Sequence, residues 1–105
     1  MTTQPKTERL GLIYRATCLI NGKSYIGKSI FLDERKRVHE YSALHENHKD
    51  YDCKFHRALR KHSVSNFKWE ILEKDIPISL LSIKESEWIQ GLNTFKNGYN
   101  STIGR

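Results

Sequence analysis

The pair Asn21-Gly22 stands between two runs of strand-forming residues, GLIYRATCLI over 11–20 and SYIGKS over 24–29. Few two-residue signals limit a chain so strongly. Both residues tolerate the positive φ that tight antiparallel turns require, and the flanking runs are rich in β-branched, aromatic and apolar side chains. The chain is therefore expected to begin with a hairpin, and everything after it has to cover that hairpin's faces. Residues 33–46, DERKRVHEYSALHE, predict a helix with acids in its first turn, where the helix dipole favours them. A second helix is expected over 51–61, with Phe55, Ala58, Leu59 and His62 on one side and Lys54, Arg57 and Lys61 as a basic stripe on another. Phe67, Trp69 and Ile71 alternate with polar residues, the pattern of a third strand. Pro77 breaks the chain, Ser79 is placed to cap a third helix ending near Leu92, and KNGYN over 96–100 reads as a turn into the tail. The expected order is β-β-α-α-β-α, an α+β fold with a small three-stranded, mostly antiparallel sheet flanked by helices. With 105 residues there is material for one core. Residues 1–9 read as a disordered leader and 10–105 as a single domain.

Hydrophobic residues make up 37% and charged residues 29%, the balance of a soluble globular protein, and the formal net charge is +6. Such an excess favours a polyanionic partner, nucleic acid first among them; a basic surface kept for solubility is the plain alternative. Cys18 and Cys53 fit no metal-ribbon or C-x-x-C spacing and are read as reduced thiols. No apolar run approaches ~18 residues, so no membrane span is expected. The polar opening MTTQPKTERL lacks signal-peptide character, and a cytoplasmic setting follows.

Gly22, Gly27, Lys28 and Ser29 satisfy G-x-x-x-x-G-K-S/T, the spacing of a nucleotide-binding phosphate loop. Such a loop needs a strand running into its first glycine and a helix opening at Lys-Ser. Here the first glycine lies in a hairpin turn, and Tyr25 and Ile26 have strand character. No apolar strand ends in an aspartate suited to nucleotide-bound magnesium. No nucleotide cofactor is expected.

A different pattern uses both strands. Leu12-Ile13-Tyr14 is followed, eleven residues beyond Tyr14, by Tyr25-Ile26-Gly27; Arg35 lies ten residues past Tyr25, with His39 one helical turn later. KHSVSNFKWEILE (61–73) and IKESEWIQGLNTFKNGYN (83–100) complete an ordered set. This set resembles the GIY-YIG nuclease family, with greatest similarity to the catalytic domains of phage intron-encoded homing endonucleases, across about 11–100. One departure stands out: Leu12 occupies the place of the family's first glycine, and Gly11 precedes it.

The resemblance implies metal-dependent hydrolysis of DNA phosphodiester bonds without a covalent intermediate. The chemistry requires a positioned water, charge neutralisation at the phosphate and protonation of the departing 3′ oxygen. Tyr14 and Tyr25 come from opposite strands and are expected on one face. By resemblance one phenol positions or deprotonates water and the other contacts the phosphate or base. A phenol of pKa ~10 is a poor base unless a cation lowers it, and Lys28 is the candidate cation. As plain residues both tyrosines would be half-buried strand aromatics. Arg35 has the spacing to point at the sheet and clamp a phosphate; His39, one turn on, could shuttle a proton near pH 7. Glu85 shares a helical stripe with Leu81, Trp88, Ile89 and Leu92, and a buried lone carboxylate is costly unless paired or metal-bound. The resemblance makes Glu85 the ligand of one divalent ion, Mg²⁺ or Mn²⁺; pairing with a lysine or arginine is the simpler alternative. Asn100 would orient Glu85 or the phosphate, or serve only the turn. Lys28, Arg37, Lys54, Arg57 and Lys61 are the expected contacts to DNA, or else a solvated face. His45, His48, Cys53 and His56 could be spaced for zinc but fit no established ligand set. A monomer in isolation, with a transient dimer on DNA, is expected. The rival reading is a non-catalytic nucleic-acid-binding module on the same scaffold. No target-selecting module follows, so the chain is either a piece of a longer enzyme or of low specificity.

Overall fold

The computed structural model describes residues 9–103. The leader expected over 1–9 therefore lies almost wholly outside the described residues. Strands β1 (Leu10–Cys18) and β2 (Ser24–Ser29) form the hairpin. Helices α1 (Leu32–Leu44) and α2 (Lys54–His62) follow, then strand β3 (Phe67–Pro77), helix α3 (Leu81–Leu92) and the single turn α4 (Thr94–Asn97). The sheet is three-stranded, in the order β2-β1-β3, and both pairings are antiparallel. The α+β fold expected from the pattern is the one observed.

The central position of β1 explains its composition, because both of its faces are covered. Ala16 and Cys18 pack under α1 and α2 with Ala43, Phe55, Ala58, Leu59 and Phe67. Ile13, on the opposite face, packs with Ile26, Ile76, Leu81 and Ile89 beneath α3. Alternation along a strand sends successive side chains to opposite faces, so a mostly apolar run, interrupted by Arg15 and Thr17, feeds two cores. Each fully buried aliphatic or aromatic side chain contributes roughly 1.5–3 kcal/mol. Leu12 is buried and pairs with Ser29, so the hairpin forms with leucine there.

Several boundaries differ from expectation. Strand β1 stops at Cys18 rather than residue 20, and the turn is longer than Asn21-Gly22 alone. The Gly22 amide donates to the Cys18 carbonyl and the Cys18 amide to the Lys23 carbonyl, both at 2.8 Å. Of the Asn21-Gly22 pair, Gly22 alone takes positive φ, 78°. Asn21 instead uses its side chain, accepting from the Lys23 amide and donating to the Tyr99 hydroxyl, both at 2.9 Å. Strand β3 extends to Pro77 and carries two register shifts against β1, with Asp75 at φ 58°. Such bulges bend and twist an edge strand and make it harder to extend. Ile71 pairs with Tyr14 and keeps the face of Phe67 and Trp69, yet is 47% exposed. Ser79 does not cap the third helix. The chain leaves Pro77 through a 3₁₀ turn, Ile78–Leu80, and α3 starts at Leu81 without a side-chain cap. Leu92 lies on the exposed edge of its stripe. Left-handed Asn93 ends α3 and starts α4, which sequence patterning did not anticipate. Among the described residues no helix is long and apolar enough to cross a membrane.

Candidate active site

The register pairs Tyr14 with Gly27 and Ala16 with Tyr25, so the two tyrosines are diagonal neighbours on the α1–α2 face, ring centroids 6.2 Å apart. A Cβ on Gly27 would collide with the Tyr14 ring. Glycine in the second motif is thus what lets this phenol lie across β2. Helix α1 brings Arg35 and His39 to the same place at i, i+4 spacing. Helix α2 adds Phe55, which stacks on Tyr25 at 4.3 Å with nearly parallel planes, and His56.

The result is a continuous polar thread through an aromatic cluster. The Tyr14 hydroxyl lies 2.7 Å from His39 Nε2, His39 Nδ1 lies 2.7 Å from His56 Nε2, and His56 Nδ1 lies 2.7 Å from the Asp50 carbonyl. Arg35 and Tyr25 both act on the Tyr14 phenol, Arg35 favouring its ionised form and Tyr25 opposing it. The two phenols are not equivalent. Tyr14 is 0% exposed, whereas Tyr25 is half-buried and lines an opening of about 240 Å³ shared with Arg35, His39 and His56.

Burial, with the neighbouring Tyr25, holds the Tyr14 phenol well above the usual phenol range, against the opposing pull of Arg35. Burial likewise pushes Tyr25 up to about 12, with Arg35 as the cation that lowers it. The expected partnership of Lys28 with Tyr25 is therefore corrected. Lys28 is an odd number of residues from Tyr25 along β2 and points to the α3 face, where it donates to Ser82 Oγ at 2.8 Å and pairs with Glu85 at 3.8 Å. His39 is corrected too. It is 3% exposed, and burial, the Arg35 charge and His56 drive it down to about 2, so it is neutral near pH 7 rather than titrating there.

Glu85 projects from α3 with its side chain 13% exposed. Burial raises its carboxyl above the usual range, while Lys28 and Arg35 act in the opposite sense. Its charge is felt at Tyr14 and Tyr25, so the α3 carboxylate and the α1–α2 cluster form one electrostatic site around the end of β2. The expected role of Asn100 is not what the structure shows. Its side chain is buried and engaged with β2: Oδ1 accepts from the Ile26 amide (2.8 Å) and Thr94 Oγ1 (2.7 Å), and Nδ2 donates to the Ile26 carbonyl (2.9 Å). It clamps the outer edge of β2 and contacts neither Glu85 nor the opening.

Lys54, Arg57 and Lys61 line a groove of about 390 Å³ with Asn21, Lys23 and Tyr99. Arg37 is exposed on α1, apart from that groove. The zinc alternative fails on placement. His45 bonds the Tyr41 carbonyl, His48 meets Ser42, and His56 is committed to His39 and Asp50. Among the described residues no cluster of three or more His, Cys, Asp or Glu side chains is arranged to hold a metal ion. Sequence reasoning gave His56 no other role, because beside Phe55 on the flank of the α2 stripe its spacing is that of any solvated histidine.

Residues 10–100 match the GIY-YIG catalytic domain. Among solved structures, a point mutant of the catalytic domain of intron endonuclease I-TevI superposes with a TM-score of 0.79 at 28% identity, covering 91% of this chain and 97% of that one. The structure of the catalytic domain of homing endonuclease I-TevI superposes with a TM-score of 0.74 at 30% identity, covering 88% and 98%. No curated protein sequence matches the chain. With its two hairpin motifs in register and its whole sheet inside the matched span, the chain belongs to the GIY-YIG family.

Proposed function

We propose that this domain is an endonuclease that hydrolyses DNA phosphodiester bonds with the help of a divalent cation at Glu85. The observation that carries this reading is the Tyr14–His39 hydrogen bond, with the Tyr25 ring 6.2 Å from that of Tyr14 and lining a cavity shared with Arg35. Arg35 presents a planar fork suited to the non-bridging oxygens of a phosphate. A water in the cavity would donate to the Tyr25 oxygen as Tyr25 passes its proton to Tyr14, and Tyr14 passes its own to His39 Nε2. In the free protein the Arg35 charge is one of the causes that keep His39 from accepting a proton. A phosphate seated on Arg35 cancels that charge, so substrate itself makes His39 a better base. General-base assistance of this kind is worth about 100- to 10,000-fold.

Glu85 fits a hydrated cation. It is a largely covered carboxylate whose ion pair to Lys28, at 3.8 Å, is too long for a hydrogen bond, and one carboxylate plus substrate oxygens is the usual hold on Mg²⁺. Mg²⁺ or Mn²⁺ held there would supply neutralisation of charge on the phosphate and on the departing 3′ oxygen. Lys28 and Arg35 favour the ionised carboxylate against its burial. The basic groove of Lys23, Lys54, Arg57 and Lys61 is suited to the DNA backbone away from the cut, with Arg37 as a further outlying contact. A second copy meeting the first on DNA would account for cutting of both strands.

Supercoiled plasmid incubated with the protein and Mg²⁺, or with EDTA, beside Glu85→Ala, tests the reading. Nicking or linearisation that disappears with EDTA and in the variant is expected. Binding without cutting by the wild type would leave a non-catalytic binding module; cutting by Glu85→Ala would remove the carboxylate from its role.

A further inference from the structure

We propose that His56 is a positioning residue that fixes the tautomer of His39, so that His39 Nε2 is bare and receives the proton of Tyr14. The direction of the whole thread follows from its last member. The Asp50 carbonyl can only accept, so His56 Nδ1 carries a proton and donates to it at 2.7 Å. A neutral His56 then has a bare Nε2. That nitrogen accepts from His39 Nδ1 at 2.7 Å, which leaves His39 Nε2 bare, and the Tyr14 hydroxyl donates to it at 2.7 Å. One backbone carbonyl therefore sets three hydrogen bonds.

The opposite polarity requires a doubly protonated His56. Burial disfavours that form, and so do the neighbouring Arg35 and His48; only Asp50 favours it. The groups facing His39 are Tyr14 from β1, Tyr25 from β2, Arg35 on its own helix, Phe55 and His56 from α2, and Trp69 from β3. None but His56 can accept from Nδ1, since Tyr14 is engaged at Nε2. The carbonyl at the end of the thread is itself held: it also accepts the Cys53 amide, and Arg60 ties the same loop to α1 by donating to the carbonyls of Tyr51 (2.7 Å) and Ala43 (2.8 Å). When His39 takes the Tyr14 proton, its Nδ1–H still donates to neutral His56, which supports the imidazolium. Orienting a catalytic histidine through its second nitrogen is general practice in histidine chemistry.

This inference gives the nuclease reading its base, and the test separates the two. Long-range ¹H–¹⁵N correlation spectra of the full chain at neutral pH report which nitrogen of each histidine carries hydrogen. The wild type is expected to show His39 with Nδ1–H and bare Nε2. Nε2–H on His39 overturns the proposal. In His56→Leu the single tautomer should be lost and single-turnover cutting should drop at least about 10-fold with DNA binding kept. In His56→Glu, whose carboxylate only accepts, tautomer and cutting should return together. Wild-type cutting by a folded His56→Leu overturns the proposal. The expected tautomer in a chain that cuts no DNA would sink the nuclease reading and leave the histidine assignment standing.

Discussion

The Tyr14 ring crosses the β2 backbone at Gly27, where a Cβ would overlap it, so the tyrosine of one motif and the glycine of the other are tied by direct contact. That contact buries the phenol and brings it to His39, whose own burial has a consequence for stability. In the unfolded chain His39 titrates near the ordinary value, ~6.5; in the folded protein it stays neutral down to about 2. Below ~6.5 the unfolded state therefore binds a proton that the folded state refuses, and stability falls as pH drops through this window, by up to about 1.4 kcal/mol per pH unit. His56 is shifted in the same direction. Urea midpoints at about pH 7 and about pH 5 should differ, the acid value being lower, and the difference should shrink in His39→Gln; an unchanged difference contradicts the assignment. Tyr14, Tyr25, Arg35 and His39 were legible through the family resemblance; hairpin register and i, i+4 spacing are what bring them together in the structure. The side taken by Lys28 was legible as well, since three steps along a strand reverse the face, but reading by distance from Tyr25 concealed it. The neutral state of His39 was not legible, because it depends on α2 and Arg35 arriving from elsewhere in the chain.

Strand β2 is an edge strand, yet at Ile26 its free amide and carbonyl are both satisfied by the Asn100 side chain, and the Tyr99 amide adds a bond to the Ser24 carbonyl at 2.8 Å. The tail thus acts as a partial fourth strand that holds Tyr25 and Gly27 in place. Asn100→Ala leaves buried backbone groups unpaired, a loss of roughly 1–3 kcal/mol. It should speed amide exchange at Ile26 more than at Ala16 in the central strand; equal effects at both would contradict the clamp. The main strands and helices were readable from periodicity and turn chemistry. The bulges at β3, the 3₁₀ exit from Pro77 and the turn of α4 were not, because each is imposed by packing across the sheet rather than by the local pattern. Asp75 at φ 58° and Asn93 at φ 57° illustrate this: either residue tolerates that conformation, and neither announces it.

Two layers of helices enclose the sheet, and the candidate site draws residues from both faces around β2. The basic groove lies between α2 and the hairpin turn and adjoins that opening at Tyr99, while its lysines and arginine lie outside the opening's lining. Binding and chemistry should therefore be separable. Replacing Lys54, Arg57 and Lys61 together with alanine should flatten the dependence of log affinity on log salt by roughly 2 to 3 units while sparing the cutting rate at saturating protein. An unchanged slope would place the DNA elsewhere. On the proposed reading, the thread from Tyr25 through Tyr14 to His39 is what would separate a nuclease from a binding module on this scaffold. Single-turnover cutting of DNA by Tyr14→Phe, with binding measured in parallel, isolates it. The hydroxyl removed is fully buried, so DNA affinity should stay near that of the wild type while the cutting rate falls about 100-fold or more. A folded Tyr14→Phe that binds and cuts as the wild type does would contradict the account.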